Sequence, residues 1–163
     1  MEEPFIRKAQ IYAAEHQLRL SNRLGFGIHG TVLLAENNSK TGKTAVKVHR
    51  AHEPYYRECR VYERLREADV SEILGFNVPQ LIRFDDGLHV VEMTVVARPF
   101  LLDFAGAYLD TVPDFSEVIW AEWEVDKREQ FGERWTTVQA VLVALKSLGI
   151  HMVDVSPSNL AFS

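Results

Sequence analysis

The chain has 163 residues, a formal net charge of −5 and one cysteine, a length that suits one domain or one domain made of two small lobes. Twenty-three acidic residues against eighteen lysines and arginines leave no basic surplus for gripping nucleic acid, and Cys59 alone excludes an intrachain disulfide or a cysteine-based zinc site. A 47% hydrophobic, 25% charged composition suits a soluble core; no run reaches membrane-spanning length and no signal-peptide core opens the chain, so no membrane is expected and the cytoplasm is the expected location.

Residues 4–17 read as a helix, with Phe5, Ile6, Ile11 and Tyr12 along one side. From Leu18 the texture changes to three short β-type runs, LRLSNRLGFG, TVLLAEN and TAVKVHR, with a hairpin turn at 37–43 between the second and third. Residues 53–69 return to helix, with Pro54 in the first turn and Val61 and Leu65 four apart. Two further strands, QLIRFDD and LHVVEMTVV, follow on either side of Gly87. The first half is therefore expected to hold five strands with one helix inserted after the third.

Beyond Pro99 the pattern turns helical. Helices are expected over 100–110, 115–126 and, most clearly, 136–148, where Val138, Val141, Leu142, Leu145 and Leu148 form one stripe ended by Gly149. The last segment, IHMVDVSPSNLAFS, reads as a small hairpin around a polar loop.

Two constellations carry chemistry. Gly25, Gly27 and Gly30 make a G-x-G-x-x-G pattern, but β-type residues follow it, so the glycines join two strands rather than open a dinucleotide-binding helix. Such a flap lets backbone amides approach phosphate oxygens with no Cβ in the way; a glycine hairpin without a ligand is the plain alternative. Lys47 interrupts a strand made for the core, where an unpaired ammonium is costly, and Glu58 stands eleven residues on in the next helix. A solvated lysine and glutamate would be the alternative.

In this order the motifs resemble the N-terminal lobe of protein kinases and their small-molecule-kinase relatives: GFGIHGTV the glycine-rich loop, AVK the strand of the ATP lysine, RECRVYERL the helix of its paired glutamate, LHVVEMTVV the strand into the hinge. GIHMVDVSPSNLAF extends it, with an aspartate followed five residues later by an asparagine. The resemblance implies an α+β, protein-kinase-like fold: residues 1–97 an N-lobe of five antiparallel strands with one inserted helix and an extra N-terminal helix, residues 98–163 a reduced, truncated helical C-lobe ending at the catalytic-loop hairpin. It implies ATP and Mg²⁺ as ligands. Leu24, Val32 and Ala45 would sandwich the base, and Glu92 and Thr94 would present backbone groups to it, with Val91 as gatekeeper. Gly25, Gly27, Gly30 and Lys47 would hold phosphates, Glu58 would orient Lys47, Asp154 would act as catalytic base and Asn159 as metal ligand.

The family pattern also breaks. Met152-Val153-Asp154 replaces His-Arg-Asp, Ser156 stands where many kinases have a lysine, and His29 replaces the aromatic tip of the flap. No Asp-Phe-Gly follows Asn159; the string Asp103-Phe104-Ala105-Gly106 lies upstream, inside an expected helix, and is read as no substitute. The expectation is a minimal pseudokinase that binds ATP with little or no transfer. The alternatives are a phosphotransferase completed by another subunit, or a protein-interaction scaffold that binds no nucleotide. The apolar helix at 136–148 would need cover from residues around Trp120, Trp123 and Trp135, from a second copy or from a protein partner.

Overall fold

The computed structural model describes residues 3–27, 29–37 and 42–163; Ile28 of the glycine flap and the centre of the 37–43 turn lie outside them. Helix α1 (Pro4–Glu15) starts with proline in its first turn, where a missing N–H costs nothing. It buries Ala9, Tyr12 and Ala13 on one face. Strands β1 (Leu18–Phe26), β2 (Gly30–Asn37) and β3 (Lys43–His49) follow, then helix α2 (His52–Glu67). A short hairpin, β4 (Glu72–Ile73) and β5 (Phe76–Asn77), turns through Leu74 and Gly75, both at positive φ. Strands β6 (Leu81–Asp85) and β7 (Val90–Thr94) then complete an antiparallel sheet of order β1-β2-β3-β7-β6. The chain is α+β, and its main sheet has the five strands, with a helix after the third, that the sequence implies; the β4–β5 hairpin is an addition to it.

Alternation along β3 decides what faces what. Val46 and Val48 join Leu33, Ala35 and Val90 under α1, forming one core on that face of the sheet. Ala45, Lys47 and His49 take the other face, toward α2, whose stripe of Tyr55, Glu58, Cys59, Tyr62 and Leu65 is buried. Ala45, Tyr62, Phe104, Val141 and Leu160 all belong to a second, larger core that runs on into the second half of the chain.

Two expectations for that half are corrected. Residues 100–110 are not a helix: they form β8 (Phe100–Leu101), an irregular turn and β9 (Tyr108–Leu109). Leu101, Phe104, Ala105 and Ala107 are all buried, because neighbouring elements enclose the turn from several sides rather than along one helical face. Helices α3 (Glu117–Phe131) and α4 (Trp135–Ser147) come next, α3 capped by the Ser116 hydroxyl accepting from the Ile119 amide at 3.3 Å. Gly149 ends α4's run at φ 79°, in the left-handed region that favours glycine.

The final segment is not a hairpin either. Strand β10 (Ile150–His151) pairs with β9, and β11 (Leu160–Ala161) pairs with β8. The loop between β10 and β11 is thereby hung from the 100–110 segment. Trp123 covers the same region, its indole N–H donating to the Val153 carbonyl at 2.7 Å. Among the described residues no helix is long and apolar enough to cross a membrane.

Candidate functional site

On β3 the side chain of Lys47 has no route to solvent on the α1 face, so its amine must be answered by α2 and whatever packs against it. Lys47 Nζ lies 2.9 Å from Glu58 Oε1 and 2.9 Å from Asp103 Oδ1. Burial alone would lower the amine's pKa, but the two carboxylates hold it above the ordinary lysine value. Glu58 is fully buried; burial would raise its carboxyl, yet Lys47 and His49 bring it down to about 2. Its oxygens are shared out: Oε1 takes His49 Nε2 at 2.9 Å, and Oε2 accepts the Phe104 amide at 2.7 Å. The sequence-expected pair is brought together, with a third member that the sequence reading set aside.

That member belongs to the Asp103-Phe104-Ala105-Gly106 string. The turn between β8 and β9 puts Asp103 at φ 69°, aiming its carboxylate at Lys47 while Phe104 packs edge-on against Tyr62. Gly106 then runs against the loop of Asp154. A Cβ there would sit 2.4 Å from Asp154 Oδ2, so only glycine leaves the carboxylate its place. The expected helix around this string is corrected: the string is upstream in sequence but adjacent in space to the Asp154 loop, because β8 pairs with β11 and β9 with β10.

Asp154 faces the same cleft. Its Oδ1 is buried without a hydrogen-bond partner. Burial, then the Asp103 carboxylate, push its carboxyl above the usual aspartate value, against the pull of His29 and Lys47. Asn159 braces this loop, its amide donating to the Asp154 carbonyl at 3.0 Å and its Oδ1 accepting the Ser156 N–H at 2.7 Å.

Lys47, Asp103, Asp154 and Asn159 line one cavity of about 670 Å³. Leu24, Gly25, Gly27, Gly30, Val32 and Ala45 wall it on the sheet side, and Asp154 and Asn159 on the other. A side chain at Gly25 or Gly27 would meet nothing within 4 Å, so both glycines border open space. Gly30 has a different reason: a Cβ there would lie 2.1 Å from the Val48 carbonyl oxygen, so strand crossing alone requires it. His29 also lines the cavity, its carbonyl accepting the Arg50 N–H at 2.9 Å.

Of the two residues expected to present backbone groups to a base, one lines the cavity and one does not. Glu92 is not among the cavity-lining residues; strand alternation turns its side chain to the α1 face. There it accepts from Tyr12 at 2.7 Å, Thr44 at 2.9 Å and Arg83 at 2.5 Å. Val91 is buried in the core, and Met93, the cross-strand partner of Ala45, lines the cavity in its stead. Thr94 does line it, with its N–H already bonded to the Gln80 carbonyl at 2.9 Å; Val95 and Val96 continue the wall. The edge of the cavity thus runs along 93–96.

The donors suit a particular kind of cation. Among the described residues no group of three or more His, Cys, Asp or Glu is placed to hold a metal unaided. The Asp103 carboxylate at the cavity wall fits a magnesium ion that arrives with phosphates and takes only one or two protein carboxylates.

No family model and no curated protein matches the chain. Among solved structures it is similar to the kinase PK-1 of Cydia pomonella granulovirus, at 13% identity and a TM-score of 0.43. The match covers 89% of this chain and 47% of that one, so the chain spans about half the length of the viral kinase. A likeness this weak supports no assignment by itself.

Proposed function

We propose that the cavity binds ATP with magnesium in a kinase-like site and that the chain is a phosphotransferase acting on a hydroxyl. The single observation that carries the reading is the meeting of Lys47, Asp103 and Asp154 at one cleft beneath open glycines, with Glu58 buried behind the Lys47 amine. This changes the sequence expectation. The pseudokinase reading rested on a missing metal aspartate, and Asp103 supplies a carboxylate at the Lys47 amine from an unexpected point in the chain.

In this reading the wall of Leu24, Val32, Ala45 and Met93 takes the base, and Lys47, oriented by Glu58, takes α- and β-phosphate oxygens. Asp103 and Asn159 would hold magnesium, which would supply neutralisation of the charge that builds on the transferred phosphoryl group. Asp154, with its free oxygen, accepts the proton of the acceptor hydroxyl. Phosphoryl transfer depends on positioning and electrostatics rather than covalent chemistry by the protein.

The test is a thermal-shift titration with ATP, with and without MgCl₂, followed by ³¹P detection of ADP. At about 100-fold over Kd the midpoint should rise by about 5–10 °C. Asp103→Asn should remove the magnesium-dependent part of that rise, and Lys47→Met and Asp154→Asn should each abolish turnover. No shift at millimolar ATP overturns the reading. A second reading, nucleotide binding without transfer, is favoured by Ser156, which puts no lysine beside the transferred phosphate. A full shift with no ADP formed would select it.

A further inference from the structure

Three acids in and behind the cleft come from three separate elements: Glu58, buried behind Lys47, from α2, Asp103 from the β8–β9 turn, and Asp154 from the loop after β10. Lys47 and the Phe104 amide tie Glu58 to the Asp103 turn at the cleft itself, and among the described residues a second anchor lies outside it. Arg64, on α2, donates from Nη1 to Asp110 Oδ1 at 2.8 Å and from Nη2 to Asp110 Oδ2 at 2.7 Å, a two-pronged contact. Nη1 also donates to the Leu148 carbonyl at 2.9 Å, at the end of α4. The Asp110 N–H in turn donates to the Gly149 carbonyl at 2.7 Å, one residue before β10.

The fit is close. A Cβ on Gly149 would lie 2.3 Å from Asp110 Oδ1 and 2.6 Å from Arg64 Nη1, so the pair occupies the space a side chain would need. Along the same seam Arg57 lies over the Tyr108 ring at 5.1 Å, and Glu58 takes the Phe104 amide. Helix α2 is therefore gripped by the 103–110 segment at both ends of a span of six residues, roughly 9 Å of helix.

We infer that Arg64 and Asp110 are a positioning pair that holds α2, the Asp103 turn and the strand leading to Asp154 in one arrangement, so that the cleft stands assembled before ligand arrives. What the acids do there rests on the proposed function; the clamp itself does not. Asp110 is largely exposed and the ion pair adds little to global stability. Its effect is on placement. Lysine keeps the charge of arginine but not its planar fork, so Arg64→Lys isolates the geometry.

Cys59 supplies a reporter independent of any activity. It is the sole cysteine, neighbours Glu58 on α2 and is buried. Local opening of α2 should admit a thiol reagent to it. In Arg64→Lys and in Asp110→Asn the labelling rate with an aromatic disulfide should rise at least about tenfold with the unfolding midpoint within about 2 °C of wild type. The charge-exchanged double variant, Arg64→Asp with Asp110→Arg, should label more slowly than either single reversal. Where the wild type turns over ATP, kcat should fall about 10- to 100-fold in Arg64→Lys while KM changes little. An unchanged labelling rate in both Arg64→Lys and Asp110→Asn overturns the inference. A wild type that neither binds nor turns over nucleotide, but whose variants label faster, instead removes the reading of the cleft and leaves the clamp standing.

Discussion

Lys47 is enclosed by two carboxylates, and its removal leaves Glu58 with only His49 and the Phe104 amide as partners in the dry interior. Taking one member out of a buried ion pair costs about 3–5 kcal/mol, mostly because the survivor is stranded. Lys47→Met should therefore fall near that range in urea unfolding, and Lys47→Met/Glu58→Gln should lose clearly less than the sum of the two single changes. Strict additivity would show that the pair is not coupled. Gly106 makes the complementary case in steric terms. Gly106→Ala should displace the Asp154 carboxylate and cost about 1–3 kcal/mol as overpacking, together with about a hundredfold in transfer rate. In an Asp154→Ala background, where the obstructing oxygens are gone, the same alanine should cost almost nothing in stability; a persistent cost would mean Gly106 serves the backbone instead. Lys47 and Glu58 were legible as a pair because a charge inside an apolar strand demands a partner. Asp103 was not, since nothing in a linear reading says that residue 103 returns to residue 47.

At the scale of elements, the long ones were legible and the two-residue ones were not. Helices α1, α2 and α4 and the five main strands declare themselves by periodicity, each burying a face along its own length. Strands β8 to β11 are only two residues each and pair with partners 41 to 61 positions away. In their absence Phe100, Leu101, Phe104 and Tyr108 have helical spacing, which is why the segment read as a helix. Glu92, outside the cavity, turns its side chain to the α1 side, where α1 brings Tyr12 to meet it. That helix-to-sheet contact makes a prediction. Tyr12→Phe should cost about 1.5–3 kcal/mol, the range for a hydrogen bond to a charged group, and leave nucleotide affinity untouched because the network lies on the far face. Burial would raise the Glu92 carboxyl, but Arg83, Tyr12 and Thr44 hold it below the usual glutamate value. Its contribution is thus present above the ordinary glutamate range and lost as pH falls through the lowered value. The difference between Tyr12→Phe and wild type, followed by chemical unfolding, should accordingly shrink below about pH 4. A gap that grows on acidification would reverse the assignment of charge at this site.

For the molecule as a whole, a division near residues 97–99 suggests two lobes, but the packing joins them. Ala45 and Tyr62 from the first half share one core with Phe104, Val141, Leu145 and Leu160 from the second. The strand pairs β8–β11 and β9–β10 then stitch the last residues of the chain to the segment just after the division. A core of this kind has no internal surface along which one half can open without exposing the other's apolar groups, so unfolding should be a single cooperative transition. The tryptophans make the test direct, because Trp120, Trp123 and Trp135 all lie in the second half. Tryptophan fluorescence should report the same midpoint and the same urea dependence as amide hydrogen exchange at Val46 and Val48 in β3. ATP with magnesium should move both by the same amount, since a ligand that binds only the folded state stabilises every region that unfolds with it. Separate midpoints, or a shift confined to the β3 amides, would mean that the cleft closes over a hinge rather than within one continuous core.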